Sequence, residues 1–224
     1  MSLRVLLGDP SWLFDFAIPI RSATVVHPER LDWELEDSYQ LPPLYSLLRG
    51  TQFATFSMAW SEQGLFASVK IDPNAQKPRY DFMQPRTMYG SQMRLSVFVD
   101  TRWSPDVRRG TIYCHRFDFM CDEPKGKQVQ RGHGELNTLH RARVAPAAVH
   151  PKDLYAGTLA REFGNEFRAF IPAHAMTGFD PTEYQDLGIF LMATDPNYGQ
   201  QTVARSIEST YGEDPSQWCR GKLI

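Results

Sequence analysis

The sequence predicts an all-β protein, an antiparallel β-sandwich forming a single domain over residues 1–224. Three observations carry that prediction. Most segments alternate apolar and polar residues with period two, the signature of half-buried strands. No stretch of twelve or more residues carries a helical apolar stripe, and the nearest case, "HPKDLYAGTLAREFG", is weakened by Gly157 and Gly164. Aromatic residues make up 12% of the chain, a composition that suits pleated surfaces.

The elements follow in order. In "SWLFDFAI", Trp12, Phe14, Phe16 and Ile18 share one face; in "FATFSMAW", Ala54, Phe56, Met58 and Trp60 do. In "LFASVKID", Leu65, Ala67, Val69 and Ile71 alternate with Phe66, Ser68, Lys70 and Asp72. The link "SEQG", Ser61 to Gly64, reads as a four-residue hairpin loop in which Gly64 supplies a positive φ. Trp60 and Leu65 then flank a tight turn between antiparallel neighbours. A proline-rich loop, "PNAQKPRYDFMQPRTMYG", leads to "MRLSVFVD", where Leu95, Val97 and Val99 align. A strand over 111–121 follows, then "EFRAFIP", "LGIFLMATD" and a closing "WCRGKLI". The segment from Asp122 to Phe163 is the least strand-like. It reads as a long excursion over the sheet, either a polar surface loop or a place for a protein partner.

Composition excludes several functions. With 24 basic and 26 acidic residues the net charge is −2, which gives no field to gather nucleic acid or anionic lipid. The apolar runs are too short to span a membrane. "MSLRVLLGDPSW" has one basic residue and too short an apolar run for a signal peptide, so a cytoplasmic location is expected. Cys114 and Cys121 lie about 23 Å apart along one strand and on opposite faces, and cannot pair within it. Three cysteines in no zinc-site pattern fit a reducing compartment without cofactor.

Candidate chemistry is sparse. Cys114 and His115 are adjacent in a strand, point to opposite faces and cannot act as nucleophile and base. His115 shares a face with Tyr113, Phe117 and Phe119, which is either core or a recognition surface. In "FRAFIPAHAMTGFDP", Pro172 ends a strand, "AHAM" makes one helical turn, Gly178 allows positive φ and Asp180 opens the next turn. His174 therefore reads as a surface turn residue before it reads as catalytic. His133, His140 and His150 match no metal-ligand spacing. "DTRW", Asp100 to Trp103, sets an acid, a guanidinium and an indole at a strand end. Sugars are held by that mixture, with rings stacked on aromatics and hydroxyls bonded to charged planar groups. The alternative is an Asp100–Arg102 salt bridge with Trp103 capping the core.

The order of "AWSEQGLFASVKID", "LSVFVDTR", "FRAFIPAHAM", "LGIFLMATDPNYGQQT" and "DPSQW", from about Phe53 to Trp218, resembles carbohydrate-binding module family 9 within the immunoglobulin-like group of sugar- and haem-binding β-sandwiches. A bacterial subgroup carrying "DTR", "CHRF" and "GFDP" is the nearest likeness. The resemblance implies a non-catalytic sugar-binding domain, often with structural calcium, and a carbohydrate as partner. One departure is plain: where the family has an acid before "FVD", this chain has Ser91, Gln92, Met93 and Arg94. Arg102 and Trp103 are the expected sugar contacts, with His115 or Asp195 adding polar ones and Trp33 a second exposed indole. An interaction scaffold that keeps only the fold is the second reading. A hydrolase built on Asp100, His115 or His174 is the third, and the chain is expected not to be an enzyme.

Overall fold

A computed structural model describes residues 17–43, 52–75, 92–124, 126, 128–162, 164–203 and 210–224. Trp12, Phe14 and Phe16 lie outside these. Among the described residues there are twelve strands, several single 3₁₀ turns and no α-helix. Nor is any helix among them long and apolar enough to cross a membrane.

The strands are β1 (Ile18–Ser22), β2 (Ala54–Ser61), β3 (Gly64–Ile71), β4 (Met93–Asp100), β5 (Cys114–Cys121), β6 (Gln130–Arg131), β7 (His133–Asn137), β8 (Tyr155–Arg161), β9 (Gly164–Pro172), β10 (Asp186–Asp195), β11 (Gly199–Thr202) and β12 (Cys219–Leu223). They form two layers. One runs β6-β8-β9-β3-β2; the other runs β12-β10-β4-β5-β7, with β11 added beside β10. Leu65, Ala67, Val69, Leu95, Val97, Val99, Phe117, Phe119, Phe167, Ala169, Ile171, Ile189 and Leu191 fill the space between them. These are the residues that period two points inward.

The antiparallel expectation holds for every pair except those of β1. Its first half runs parallel to β12, with Ile18 opposite Gly221 and Ile20 opposite Leu223. Its second half runs parallel to β2, with Arg21 opposite Ala59 and Ser22 opposite Trp60. One strand thus belongs to both layers and stitches one side of the sandwich. The hairpin after β2 is tighter than "SEQG" implied. Ser61 and Gly64 are themselves paired, leaving a two-residue turn. Gly64 has φ +146°, and a Cβ there would stand 2.1 Å from the Ile171 carbonyl oxygen.

The other side is closed by the segment expected to be an excursion. Gln130 and Arg131 pair with Thr158 and Gly157 of β8. From His133 onward the same run pairs with β5, His133 opposite Met120 and Asn137 opposite Arg116. Gly132, whose N–H donates to Ala156 O at 3.0 Å, is the crossing point. The 122–163 segment therefore supplies three framework strands, joined by stretches whose described residues are largely exposed or half-buried. A Cβ on Gly132 would lie 2.0 Å from Cys121 Sγ and 2.2 Å from Met120 O.

The strands are also less half-buried than expected, because the outer face of β2, β3 and β9 is covered. The stretch 28–41 crosses it, and Leu31, Trp33 and Leu35 pack on Ala59, Phe66 and Phe170. Trp33 is only 7% exposed, its ring edge-on to Phe66 and its Nε1–H donating to Pro28 O at 2.9 Å. It is core, not an exposed sugar platform. Beneath it lies a buried ion pair: Glu166 accepts from Arg168 Nε and Nη2, both at 2.9 Å, from Arg161 Nε at 2.9 Å and from Ser68 Oγ at 3.1 Å. Arg168 Nη1 donates to the carbonyl of Leu31, which holds φ +62°. Burial alone would raise the Glu166 carboxyl; the bonds and charges of Arg168 and Arg161 outweigh it and hold the group below its ordinary value.

Two expectations follow. Gly132→Ala forces apart backbone and thiol atoms that have no room to move, and should cost about 1–3 kcal/mol in urea unfolding. Gly212→Ala, with nothing within 4 Å of the added carbon, serves as the control and should leave the midpoint unchanged. Glu166→Gln strands a buried guanidinium and should cost about 3–5 kcal/mol at neutral pH. Because the folded pKa of Glu166 lies below the unfolded one, its stabilisation is complete above about pH 4.3 and is lost as pH falls through the folded value. The Gln variant should lack that part of the acid limb in melts recorded against pH.

Candidate binding cleft

The "DTRW" cluster folds as a strand end. Asp100 is 3% exposed, and its Oδ1 accepts from the backbone N–H of Arg102 at 3.0 Å. The expected side-chain salt bridge does not form. The Arg102 guanidinium instead lies 3.1 Å from the Tyr184 ring centroid, with Tyr113 at 5.6 Å. Trp103 carries the Arg220 guanidinium at 5.0 Å, and Arg220 is held in turn by both oxygens of Asp186 at 3.1 Å. Arg102 and Trp103 come together, but each already has one planar face occupied by another side chain.

His115 is fully buried. Its Nε2 accepts from the Thr177 N–H at 2.9 Å, so Nδ1 carries the proton, and its ring stacks on Phe117 at 5.8 Å. Burial pulls its pKa down to about 4. A group so placed meets no ligand from solvent. The thiol of Cys114, on the opposite face, is pushed up to about 11 by burial and by Asp100, and stays protonated. Asp195 lies at the far end of β10 from Gly188, which pairs with Asp100. Its carboxylate accepts from Asn197 N at 2.7 Å and Tyr198 N at 3.1 Å, tying the β10–β11 turn. It is about 23 Å of strand away from Arg102 and Trp103. His174 is exposed on the 3₁₀ turn Ala173–Ala175, as a turn residue would be. Among the described residues no three His, Cys, Asp or Glu side chains converge as metal ligands.

The opening with the dimensions of a ligand site is elsewhere, on the outer face of the β10-β4-β5 layer. It is a cleft of about 330 Å³ lined by Phe98, Arg116, His140, Met192, Thr210, Tyr211, Gly212 and Glu213. That volume falls within the range of small-molecule sites. The enclosed space at residues 40–43 and 201–203 holds only about 10 Å³, room for one water.

Strand register builds the cleft floor. Phe98 stands between Phe190 of β10 and Arg116 of β5; Ser96 stands between Met192 and Asp118. The Arg116 guanidinium lies over Phe98 at 5.5 Å, its Nε 2.8 Å from Asp118 Oδ2. Asp118 is 3% exposed, accepts from the Ser96 hydroxyl, and accepts from Asn137 Nδ2 at 2.8 Å. Two hydrogen-bond donors thus fix a buried carboxylate, whose charge holds Arg116 beside it.

Two loops raise the walls. In 210–218, Thr210 O accepts from Glu213 N and Asp214 N at 2.9 Å, and Asp214 Oδ1 accepts from Ser216 N at 3.1 Å. Tyr211 is thereby laid on Phe190, centroids 4.4 Å apart, and its hydroxyl donates to Met192 Sδ at 3.2 Å. In the other loop Leu139 is buried against Phe98 and Trp218, placing His140 and Arg141 at the rim. His140 Nδ1 meets Glu213 Oε1 at 2.7 Å and Arg141 Nη1 stands 3.5 Å from Glu213 Oε2, bridging the walls.

The architecture has known counterparts. A family 9 carbohydrate-binding module from Caldicellulosiruptor kristjanssonii, solved in complex with cellotriose, superposes with a TM-score of 0.57 at 13% identity over 93% of each chain. A family 9 module from the same organism in complex with glucose gives 0.54 at 11% identity, over 93% of this chain and 96% of that one. The fold is that of family 9 carbohydrate-binding modules. Comparison with protein-family models and with curated proteins finds no match to the sequence. Within this family 9 fold the sequence reading passed over Arg116 and Asp118. The available signal was two opposite charges on one face of an otherwise apolar strand, facing Ser96 of "LSVFVD". Tyr211 and Glu213 gave no signal, because only the folded loop brings them to Phe98.

The buried pair beside "DTRW" makes a pH prediction. Burial raises the Asp100 carboxyl to about 6, against the bonds from Arg102 and Cys114 that lower it. His115, pulled down to about 4, contributes stability that is full above its unfolded value of about 6.5 and lost as pH falls towards 4. Asp100 acts oppositely, since its raised pKa makes the folded state gain protons, and so stability, as pH falls through 6. The two slopes offset each other between these values. Asp100→Asn keeps the Arg102 bond and removes one slope. Its stability should then fall by an additional 2–3 kcal/mol or so, order of magnitude, between pH 6.5 and 4 in urea titrations.

Proposed function

We propose that the protein binds a carbohydrate, without catalysis, in the cleft over Phe98, Arg116 and Tyr211. The observation that carries this is the composition of the cleft of ligand size described above. A half-exposed aromatic ring, a guanidinium oriented by a buried carboxylate, and a histidine–carboxylate pair converge there. Sugars offer an apolar C–H face and a rim of hydroxyls, which this combination matches. The solved modules of the same fold hold glucose and cellotriose, which supports the reading.

Arg116 would bond hydroxyls through its Nη groups while Tyr211 and Met192 meet the ring. The "DTRW" end lines no part of this cleft and is the weaker place for a sugar. Asp195 and His115 serve the framework in this reading.

Calorimetric titration with glucose and cello-oligosaccharides tests it. Wild-type protein should bind. Tyr211→Ala and Arg116→Gln should each weaken binding roughly tenfold, the loss of about 1.4 kcal/mol expected for one stacking or charged contact. Trp103→Ala should leave the affinity unchanged. Binding that vanishes in Trp103→Ala and survives in Tyr211→Ala would move the site to the strand end. No binding of any sugar would leave an interaction scaffold.

A further inference from the structure

We infer that the cleft prefers a sugar bearing a carboxylate, a hexuronide, over the neutral hexoside of the same ring; this rests on the sugar-binding reading above. The inference comes from which hydrogen-bonding groups in the lining are already engaged. Among the described residues of the lining, the carboxylate oxygens, the Met192 sulfur and the Thr210 oxygens each already meet a donor or a cation. Glu213 Oε1 is met by His140 and Oε2 by Arg141. Asp118 takes the Ser96 hydroxyl on one oxygen, Asn137 and Arg116 on the other, and is nearly inaccessible. Met192 Sδ accepts from the Tyr211 hydroxyl. Thr210 Oγ1 accepts from Gln217 Nε2 at 2.6 Å, and the Thr210 carbonyl takes two backbone N–H groups.

Arg116 stands differently. Its Nε is turned to Asp118, its plane rests over Phe98, and its side chain keeps 31% of its surface exposed at the cleft. A guanidinium donates only, and its terminal Nη groups form a planar fork.

A neutral hydroxyl is both donor and acceptor. Held at Arg116 it offers a single neutral oxygen to a fork that presents parallel N–H donors. A carboxylate has no hydrogen to place. Its two oxygens match the fork, and the bond is charge-assisted. Asp118 meets Arg116 at Nε, which leaves the terminal Nη fork to the cleft. A sugar with a carboxylate at its rim satisfies Arg116 while its ring lies against Tyr211.

Calorimetric titration of the full chain with methyl β-glucuronide and methyl β-glucoside, at low and high salt, tests this. Wild-type protein should bind the uronide roughly tenfold tighter at low salt, the gain of a hydrogen bond between charged groups over a neutral one. High salt should narrow the difference, since the site is open to solvent. Arg116→Gln should erase the preference; Arg116→Lys should keep part of it, as a point charge without the fork. If the glucoside binds as tightly as the uronide, the inference is overturned and sugar binding stands. If neither binds, both fail. A uronide preference that survives in folded Arg116→Gln overturns the assignment to Arg116. Should that variant not fold, the wild-type comparison and Arg116→Lys decide the matter.

Discussion

The structure depends on disposing of its strand edges. A two-layer β protein has unpaired N–H and C=O groups along each open edge, and these either recruit other chains or must be paired at home. Here both sides of the sandwich are closed by a strand that changes layer along its length. β1 leaves β12 for β2 after Ile20, and the run 130–137 leaves β8 for β5 at Gly132. At the second crossing the backbones come to a distance that a side chain would prevent, and Gly132 packs directly on Cys121 and Met120. The interior then fills with the apolar faces of β3, β4, β5, β9 and β10 without any disulfide among the described residues; all three cysteines are free and buried.

Once the edges are closed, the two outer faces are treated differently, and that difference makes a site. The stretch 28–41 seals one face, with Leu31, Trp33 and Leu35 pressed on the sheet over the Glu166–Arg168 pair. Breaking such a buried pair is costly because the remaining charge has no water to return to. The other face is covered only in part. Loops around Leu139, Tyr211 and Trp218 bury Phe98 and Phe190 and stop short of Arg116. The cleft is the gap between these loops. Its polar groups are held by one another, Asp118 by Ser96, Asn137 and Arg116, and Glu213 by His140 and Arg141, so the cleft is shaped by the chain's own contacts.

Much of this was legible in the residues. Leu95, Val97 and Val99, or Phe167, Ala169 and Ile171, announce their inward face because the strand period is two whatever the partner. The turn after Ile171 was equally plain: the 3₁₀ turn at Ala173–Ala175, Gly178 at φ +79° and Asp180 capping Thr182 all follow from local rules. The site was less legible. "DTRW" has suitable chemistry along the chain, yet in space Tyr184 and Arg220 arrive from distant segments and cover its planar groups. Tyr211, His140 and Arg116 lie far apart in sequence and carry no shared pattern; register and loop packing alone bring them together.

The class of fold, the inward-facing residues and the adjacency of β2 and β3 can be read along the chain, since side-chain alternation and turn chemistry act over a few residues. That β1 runs parallel to two strands, that residues 130–137 close the sandwich, that Trp33 and His115 are buried, and that the cleft lies over Phe98 emerge only from the packed fold. Those outcomes depend on which backbone groups and which faces remain unpaired after the sheets have assembled. That remainder is a property of the whole packing and is written in no single stretch of chain.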